Sequence, residues 1–256
     1  MKLDGRSALI TGGSAGLGRE FARQLAPRAR SLVLVARRGE KLDELRDKLI
    51  QQHPNLSVYT HKTDLANSSE LEELTEWLER ERIDVDLLIN NAGLGVIRKK
   101  QIMLVNVVAL TSLTRRLLPG MIARKRGAIL NVSSSAGFLP IPGFAVYAAT
   151  KAYVTSFSEA LRAELRGTGV SVCALCPGPV HTEFQEVAKR PSGQSESGPE
   201  FVHVSVEQVV RDALGAVEAD RPLVIPGLAM KLGMFLVRIT PMSVLRLASR
   251  FSARRN

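Results

Sequence analysis

The sequence predicts an α/β protein in a single domain, built on a doubly wound parallel sheet. Three observations point there. Short β-rich runs alternate with longer helical ones, several strands are apolar throughout, and a glycine-rich turn after the first strand opens a helix. Alternation of strand and helix is the pattern of βαβ units, whose crossover helices cover both faces of a parallel sheet. A strand covered on both faces has no wet side, so it reads as a continuous apolar run. A chain of 256 residues is long enough for one large domain with a well-buried core.

In chain order the expected strands are 8–11, 32–36, 58–62, 87–90, 128–132, 170–176 and 223–225. Between them the longer stretches 16–26, 41–51, 69–81, 103–121, 145–166 and 206–219 read as helices. Residues 1–225 form the expected cofactor-binding and catalytic domain. Lys189 to Glu200, KRPSGQSESGPE, is polar and rich in Gly, Pro and Ser. It falls between a strand and a helix, where open sheets carry ligand-side loops, so a mobile substrate loop is expected near 185–204. Residues 226–256 form an apolar, basic extension. Pro241 interrupts it, and two short helices are expected there.

Composition narrows the function. Hydrophobic residues make up 45% and charged residues 23%, ordinary for a soluble globular protein. No run approaches the eighteen or so uncharged apolar residues of a membrane span. The opening MKLDGRSALITGG carries Asp4 and Arg6 and reads as a strand rather than a signal peptide, so a cytoplasmic protein is expected. A net charge of +10 suits nucleic acid, a membrane surface or an anionic ligand. Aromatics are only 5%, the basic residues are scattered, and no nucleic-acid-binding motif accompanies them, so solvated helix ends and loops are the simpler account. The extension can lie on an anionic membrane, cover an active-site mouth or form a subunit contact. Cys173 and Cys176 have C-x-x-C spacing, which raises redox or metal chemistry. They sit in VSVCALC, an apolar β-branched run, and positions three apart on a strand point to opposite faces. Core cysteines and no metal are expected.

Two stretches carry a phosphate-binding reading. TGGSAGLG, Thr11 to Gly18, lies between the first strand and a helix. Glycines let backbone pass close to a diphosphate, and the helix start offers unpaired N–H groups. The second strand ends LVLVARR, with Ala36 where a dinucleotide fold places a carboxylate for the adenosine ribose. Without that acid a 2'-phosphate is not repelled, and a guanidinium can pair with it. Arg37 is the first choice and Arg38 a helper, which favours NADP over NAD. In VYAATK, Tyr147 and Lys151 stand four residues apart, on one side of a helix. Spacing alone leaves catalysis and an incidental surface pair both open.

With TGGSAGLG, NNAG (Asn90 to Gly93), NVSSS (Asn131 to Ser135), YAATK and PG (Pro177-Gly178) in that order, the chain resembles the short-chain dehydrogenase/reductase family from about Lys2 to Ile225. The resemblance implies a Rossmann fold, NADP(H), hydride transfer between a carbonyl and an alcohol, and a homodimer or homotetramer joined through the helices 103–121 and 145–166. It implies catalytic roles for Asn106 (water for a proton relay), Ser134 (hydrogen bond to the substrate oxygen), Tyr147 (proton donor) and Lys151 (lowering the phenol pKa and holding the nicotinamide ribose). Cofactor contacts implied are Gly12, Ser14, Ala15, Gly16, Leu17 and Gly18 in the loop, and Asp64 with Leu65 at the adenine. Asn90, Asn91, Ala92 and Gly93 are implied under the ribose, and Pro177, Gly178, Val180 and Thr182 near the carboxamide. One departure stands out: Asn90 and Asn106 are sixteen positions apart, fewer than is usual in the family. Either the cleft wall is trimmed or the sequence lacks a segment. The expected substrate is a lipid-like ketone, such as a ketoacyl or steroid-like one. The alternative is a non-catalytic NADPH-binding scaffold or sensor.

Overall fold

The computed structural model describes residues 1–95, 99–180, 203–241, 243 and 244. Seven strands form one parallel sheet: β1 (Ser7–Thr11), β2 (Ser31–Ala36), β3 (Ser57–Lys62), β4 (Leu87–Asn90), β5 (Gly127–Val132), β6 (Val170–Leu175) and β7 (Leu223–Val224). Their spatial order is β3-β2-β1-β4-β5-β6-β7. The chain therefore winds outward in one direction from β1 and then, through β4, in the other. The helices are α1 (Gly16–Leu25), α2 (Gly39–Gln52), α3 (Ser68–Arg80), α4 (Lys99–Met103), α5 (Leu110–Ala123), α6 (Ala145–Glu164), α7 (Val206–Glu218) and α8 (Leu228–Ile239).

The strand period of two divides the core. Leu9, Val33, Leu88, Ile129 and Val172 are successive partners across the sheet, and all face a layer with α3, α5 and α6. Their C-terminal neighbours Ile10, Leu34, Ile89, Leu130 and Cys173 form the adjacent row and face α1, α2 and α7. Consecutive side chains leave opposite faces of a strand, so strands apolar at every position feed two cores at once. Burying one such Leu, Ile or Val removes enough apolar surface from water to contribute about 1.5–3 kcal/mol, which fixes the register of the central strands.

The expected helix 103–121 is interrupted. Leu104–Ala109 takes π-helical hydrogen bonding between α4 and α5. The wider turn lets Asn106 be buried within the run, and such bulges recur at functional sites. The stretch Gln101–Ala123 is long and apolar enough to cross a membrane by length and composition. Its residues Val105, Ala109, Leu113 and Met121 are buried, so one side of the run packs against the core. The expected loop near 185–204 falls almost wholly outside the described residues. So does the segment beyond Val244, and with it most of the second helix expected after Pro241. The first of those two helices is α8, which ends at Ile239, just before the proline. The bonded part of β6 stops at Leu175, one residue short of Cys176.

Candidate active site

The carboxyl ends of the strands bring the candidate residues together, at the place where the sheet order reverses between β1 and β4. In open α/β sheets this crevice takes the ligand. Gly12 leaves β1 with φ +70, and a Cβ there would lie 2.8 Å from Asn91 Nδ2. A Cβ on Gly18 would collide with the carbonyl oxygen of Gly12. Only glycine fits these two positions, and the loop lies tightly against α1 and the 90–93 turn. Thr11 joins the two: its Oγ1 accepts from the Asn91 and Ala92 N–H groups at 3.0 Å each, while Asn91 Nδ2 donates to the Thr11 carbonyl at 2.8 Å. Sequence reasoning missed this role for Thr11, although a hydroxyl at the last strand position before the glycines was there to be read.

At the end of β2 the two arginines separate. Arg38 donates to Ser14 Oγ from Nε at 3.3 Å and from Nη2 at 3.2 Å, so its guanidinium lies over the glycine loop. Arg37 and Arg38 are both exposed at the strand's end. Arg38, at the N-cap of α2, is the one of the two whose guanidinium contacts the loop. Asp64 follows β3, and its Oδ1 accepts from Ala66 N at 3.1 Å while its own N–H donates to Glu70 Oε2. Asp64 thus shapes the entry to α3, with Leu65 buried beside it. Asn90 Nδ2 donates to Asn131 Oδ1 at 2.9 Å, and Asn131 Nδ2 to Ser158 Oγ at 2.9 Å. Asn90 thus belongs to a buried network under the site.

The reactive candidates converge on β5 and α6. The three serines of NVSSS do three different things. Ser133 Oγ donates to the Lys151 carbonyl at 2.7 Å, pinning α6 to the strand end. Ser134 hydrogen-bonds the Tyr147 hydroxyl. The Ser135 N–H donates to the Pro177 carbonyl at 2.9 Å. Pro177 and Val180 are buried, and Thr182 lies outside the described residues. Asn106 is clasped on both sides. Its Oδ1 accepts from Leu94 N at 2.8 Å, and its Nδ2 donates to Leu94 O and Thr150 Oγ1 at 3.1 Å each. Thr150 Oγ1 in turn donates to the Tyr147 carbonyl at 2.8 Å. Both amide hydrogens of Asn106 are thus used, leaving its main-chain oxygen or the second lone pair of Oδ1 to hold a water. Thr150, which couples Asn106 to Tyr147, is a second residue that the sequence reading missed.

The electrostatics are those of a desolvated pair. Burial raises the Tyr147 phenol above its ordinary value, and the Ser134 hydrogen bond opposes this in part. Burial lowers Lys151 to about 8, with the nearby Cys176 opposing the shift in part. Lys151 Nζ donates to the Val132 carbonyl at 2.8 Å and lies 5.7 Å from the Tyr147 ring centre. The lysine is held by the strand end, and burial is the largest cause of the phenol's shift. Because the folded pKa lies below the usual 10.5, the unfolded chain binds more protons between about pH 8 and 10.5, and stability rises with pH through that window. Relative to Lys151→Met, the cofactor-free protein is expected to gain about 1 kcal/mol between pH 8 and 9. Urea unfolding of both proteins reads it, and a constant difference would contradict the shift.

The two thiols are free and buried. Burial pushes Cys173 up to about 12 and Cys176 up to about 11, so both stay protonated and inert.

A parallel sheet with a glycine-walled crevice, an arginine over its loop and a desolvated Ser–Tyr–Lys group defines a dinucleotide-dependent oxidoreductase. The chain belongs to the short chain dehydrogenases, whose family model matches residues 6–192. It is 30% identical over 218 residues to the very-long-chain 3-oxoacyl-CoA reductase of Bos taurus, spanning 80% of this chain and 69% of that protein. Over 190 residues it is 38% identical to the NADP-dependent 3-hydroxy acid dehydrogenase of Salmonella typhi, spanning 70% and 75%. A solved short-chain dehydrogenase from Sphingobium yanoikuyae in complex with NADPH matches at TM-score 0.78 and 30% identity, over 98% of this chain and 94% of that one.

Proposed function

We propose that this oxidoreductase uses NADP(H) to interconvert a ketone and a secondary alcohol on an apolar, lipid-like substrate. The observation that carries the reading is the Ser134–Tyr147–Lys151 group at the end of β5, in one crevice with the glycine loop and Arg38. The residues present fit the cofactor: glycines stand where a Cβ would fill the cradle, and the Arg38 guanidinium on Ser14 would be available to pair with a 2'-phosphate. Bound NADPH supplies the hydride. Ser134 holds the carbonyl oxygen by a hydrogen bond, and Tyr147 gives that oxygen its proton as negative charge develops on it. Lys151, 5.7 Å from the Tyr147 ring centre, would hold the nicotinamide ribose, and its ammonium beside the phenol would lower the phenol pKa. Asn106 holds the water that returns a proton through Lys151.

The lipid-like preference is supported by the relatives' 3-oxoacyl-CoA and 3-hydroxy acid chemistry and by the apolar Met230 side chain of α8 beside Gly178. NADPH oxidation by the purified protein across 3-oxoacyl thioesters, bulky ketones and sugars tests it. Turnover confined to the sugars would sink the lipid preference, and no turnover with any carbonyl would sink the enzyme reading. The scaffold alternative rested on the short 90–106 segment, and that segment still places Asn106 against Leu94 and Thr150.

A homo-oligomer is part of the proposal. Beside α5 and α6 lies an open groove of about 560 Å³, lined by Leu118, Pro119, Ile122 and Phe157 among others. Met103, Leu104 and Val108 are 47%, 40% and 50% exposed along the same helical run. A second copy of this chain would cover them. Ile122→Glu is expected to convert the oligomer to monomer in light scattering, and an unchanged mass would remove this face from the interface.

A further inference from the structure

Helix α8 turns an apolar stripe away from the protein. At about 100° per residue, Leu228, Leu232, Phe235, Leu236 and Ile239 fall within an arc of about 100°. They are 83%, 59%, 58%, 51% and 62% exposed. Met230 and Met234, on the opposite side, are buried, and a Cβ on Gly178 would meet Met230 Cε at 2.5 Å. The last turn is held down by Arg238, whose guanidinium lies 5.6 Å from the Phe138 ring centre and 3.7 Å from Glu159. The inner face thus seats the helix, while the outer face is not used by the described fold. Scattered exposed leucines are normal on protein surfaces, but five large apolar side chains on one stripe mark a contact.

Charge selects the occupant. From Arg221 to Asn256 the sequence has seven Lys and Arg residues and no Asp or Glu. Lys231 and Arg238 lie along the same edge of the stripe, and Glu159 is the carboxylate that faces Arg238. Pairing two copies of α8 across a two-fold axis would bring these cationic stretches together, with no carboxylate of the stretch to offset them. An anionic lipid surface complements both halves of the pattern, because apolar insertion and attraction of basic residues add. We propose that α8 docks this protein on an anionic bilayer. The five apolar side chains sit at headgroup depth, and the Lys231 edge lies against the lipid phosphates. The proposal does not rest on the oxidoreductase reading.

Sedimentation of the full chain with phosphatidylglycerol–phosphatidylcholine vesicles, and with phosphatidylcholine alone, tests it. Most of the protein is expected to pellet with the anionic vesicles at low salt, to be released at high salt, and to stay in solution with phosphatidylcholine. The double variant Leu232→Glu/Phe235→Glu changes two exposed positions and is expected to lose pelleting. Its NADPH affinity, measured separately, should be unchanged and reports an intact fold. Wild-type protein remaining in solution with anionic vesicles at low salt overturns the proposal, as does pelleting of the double variant. Wild-type protein that ignores vesicles, but whose oligomer the double variant dissolves, assigns the stripe to a second copy and also overturns it.

Discussion

Tyr147→Phe is expected to cut ketone reduction about 10³-fold while leaving NADPH affinity within about threefold, since a positioned general acid contributes roughly 10²–10⁴. The substitution removes one oxygen. The ring keeps its contact with Phe144, 6.4 Å away between centres, and the main-chain hydrogen bond from Thr150 remains. What disappears is the proton source and the partner of Ser134. A low-barrier path to the carbonyl oxygen then has to come from water, which the desolvated site admits poorly. Stopped-flow reduction of a responsive ketone, with NADPH binding followed by fluorescence, separates the two quantities. Full activity in the phenylalanine protein would remove Tyr147 from its role. Equal loss of binding and turnover would make it a positioning residue for the cofactor.

Arg38→Ala is expected to weaken NADPH binding about 50-fold and NADH binding less than about threefold, the range for hydrogen bonds to a charged group. Arg37→Ala should move either affinity by less. The argument is geometric: Arg38 reaches Ser14 Oγ in the glycine loop with two of its nitrogens, and a 2'-phosphate bound there would replace a hydroxyl with a dianion. Isothermal titration of the two variants with each cofactor reads the difference. A larger loss in Arg37→Ala than in Arg38→Ala would favour the ranking expected from sequence.

The two arginines show where the sequence becomes silent. Adjacent residues at a strand end point in opposite directions, so the choice between Arg37 and Arg38 depends on where β2 stops and α2 starts. Element boundaries are the least legible feature of a sequence, because end residues are held by few local interactions. The serines of NVSSS pose the same problem. Assigning Ser133 to α6 and Ser134 to Tyr147 needed the docking of β5 on α6, a contact between residues eighteen and thirteen positions apart. The thirteen-residue spacing singled out Ser134, and Ser134 is the serine that hydrogen-bonds Tyr147.

The strands and most helices were legible because their signal is local and repeated. An apolar run bounded by turn residues has one good fate in water, and seven such runs separated by helical stretches can be buried together only in a covered sheet. The glycine loop was legible for a related reason, since the need for a missing Cβ is written in the residue itself. By itself, the sequence determined the fold class, the place of the glycine loop, and the Tyr147–Lys151 pair on one helical face. The tertiary structure alone decided which arginine faces the loop, that a π-turn buries Asn106 against Leu94 and Thr150, and that burial drives the Tyr147 and Lys151 pKa values in opposite directions. It also decided which side of α8 is left bare. Each of these depends on which distant segments exclude water from one another, and no local pattern encodes that.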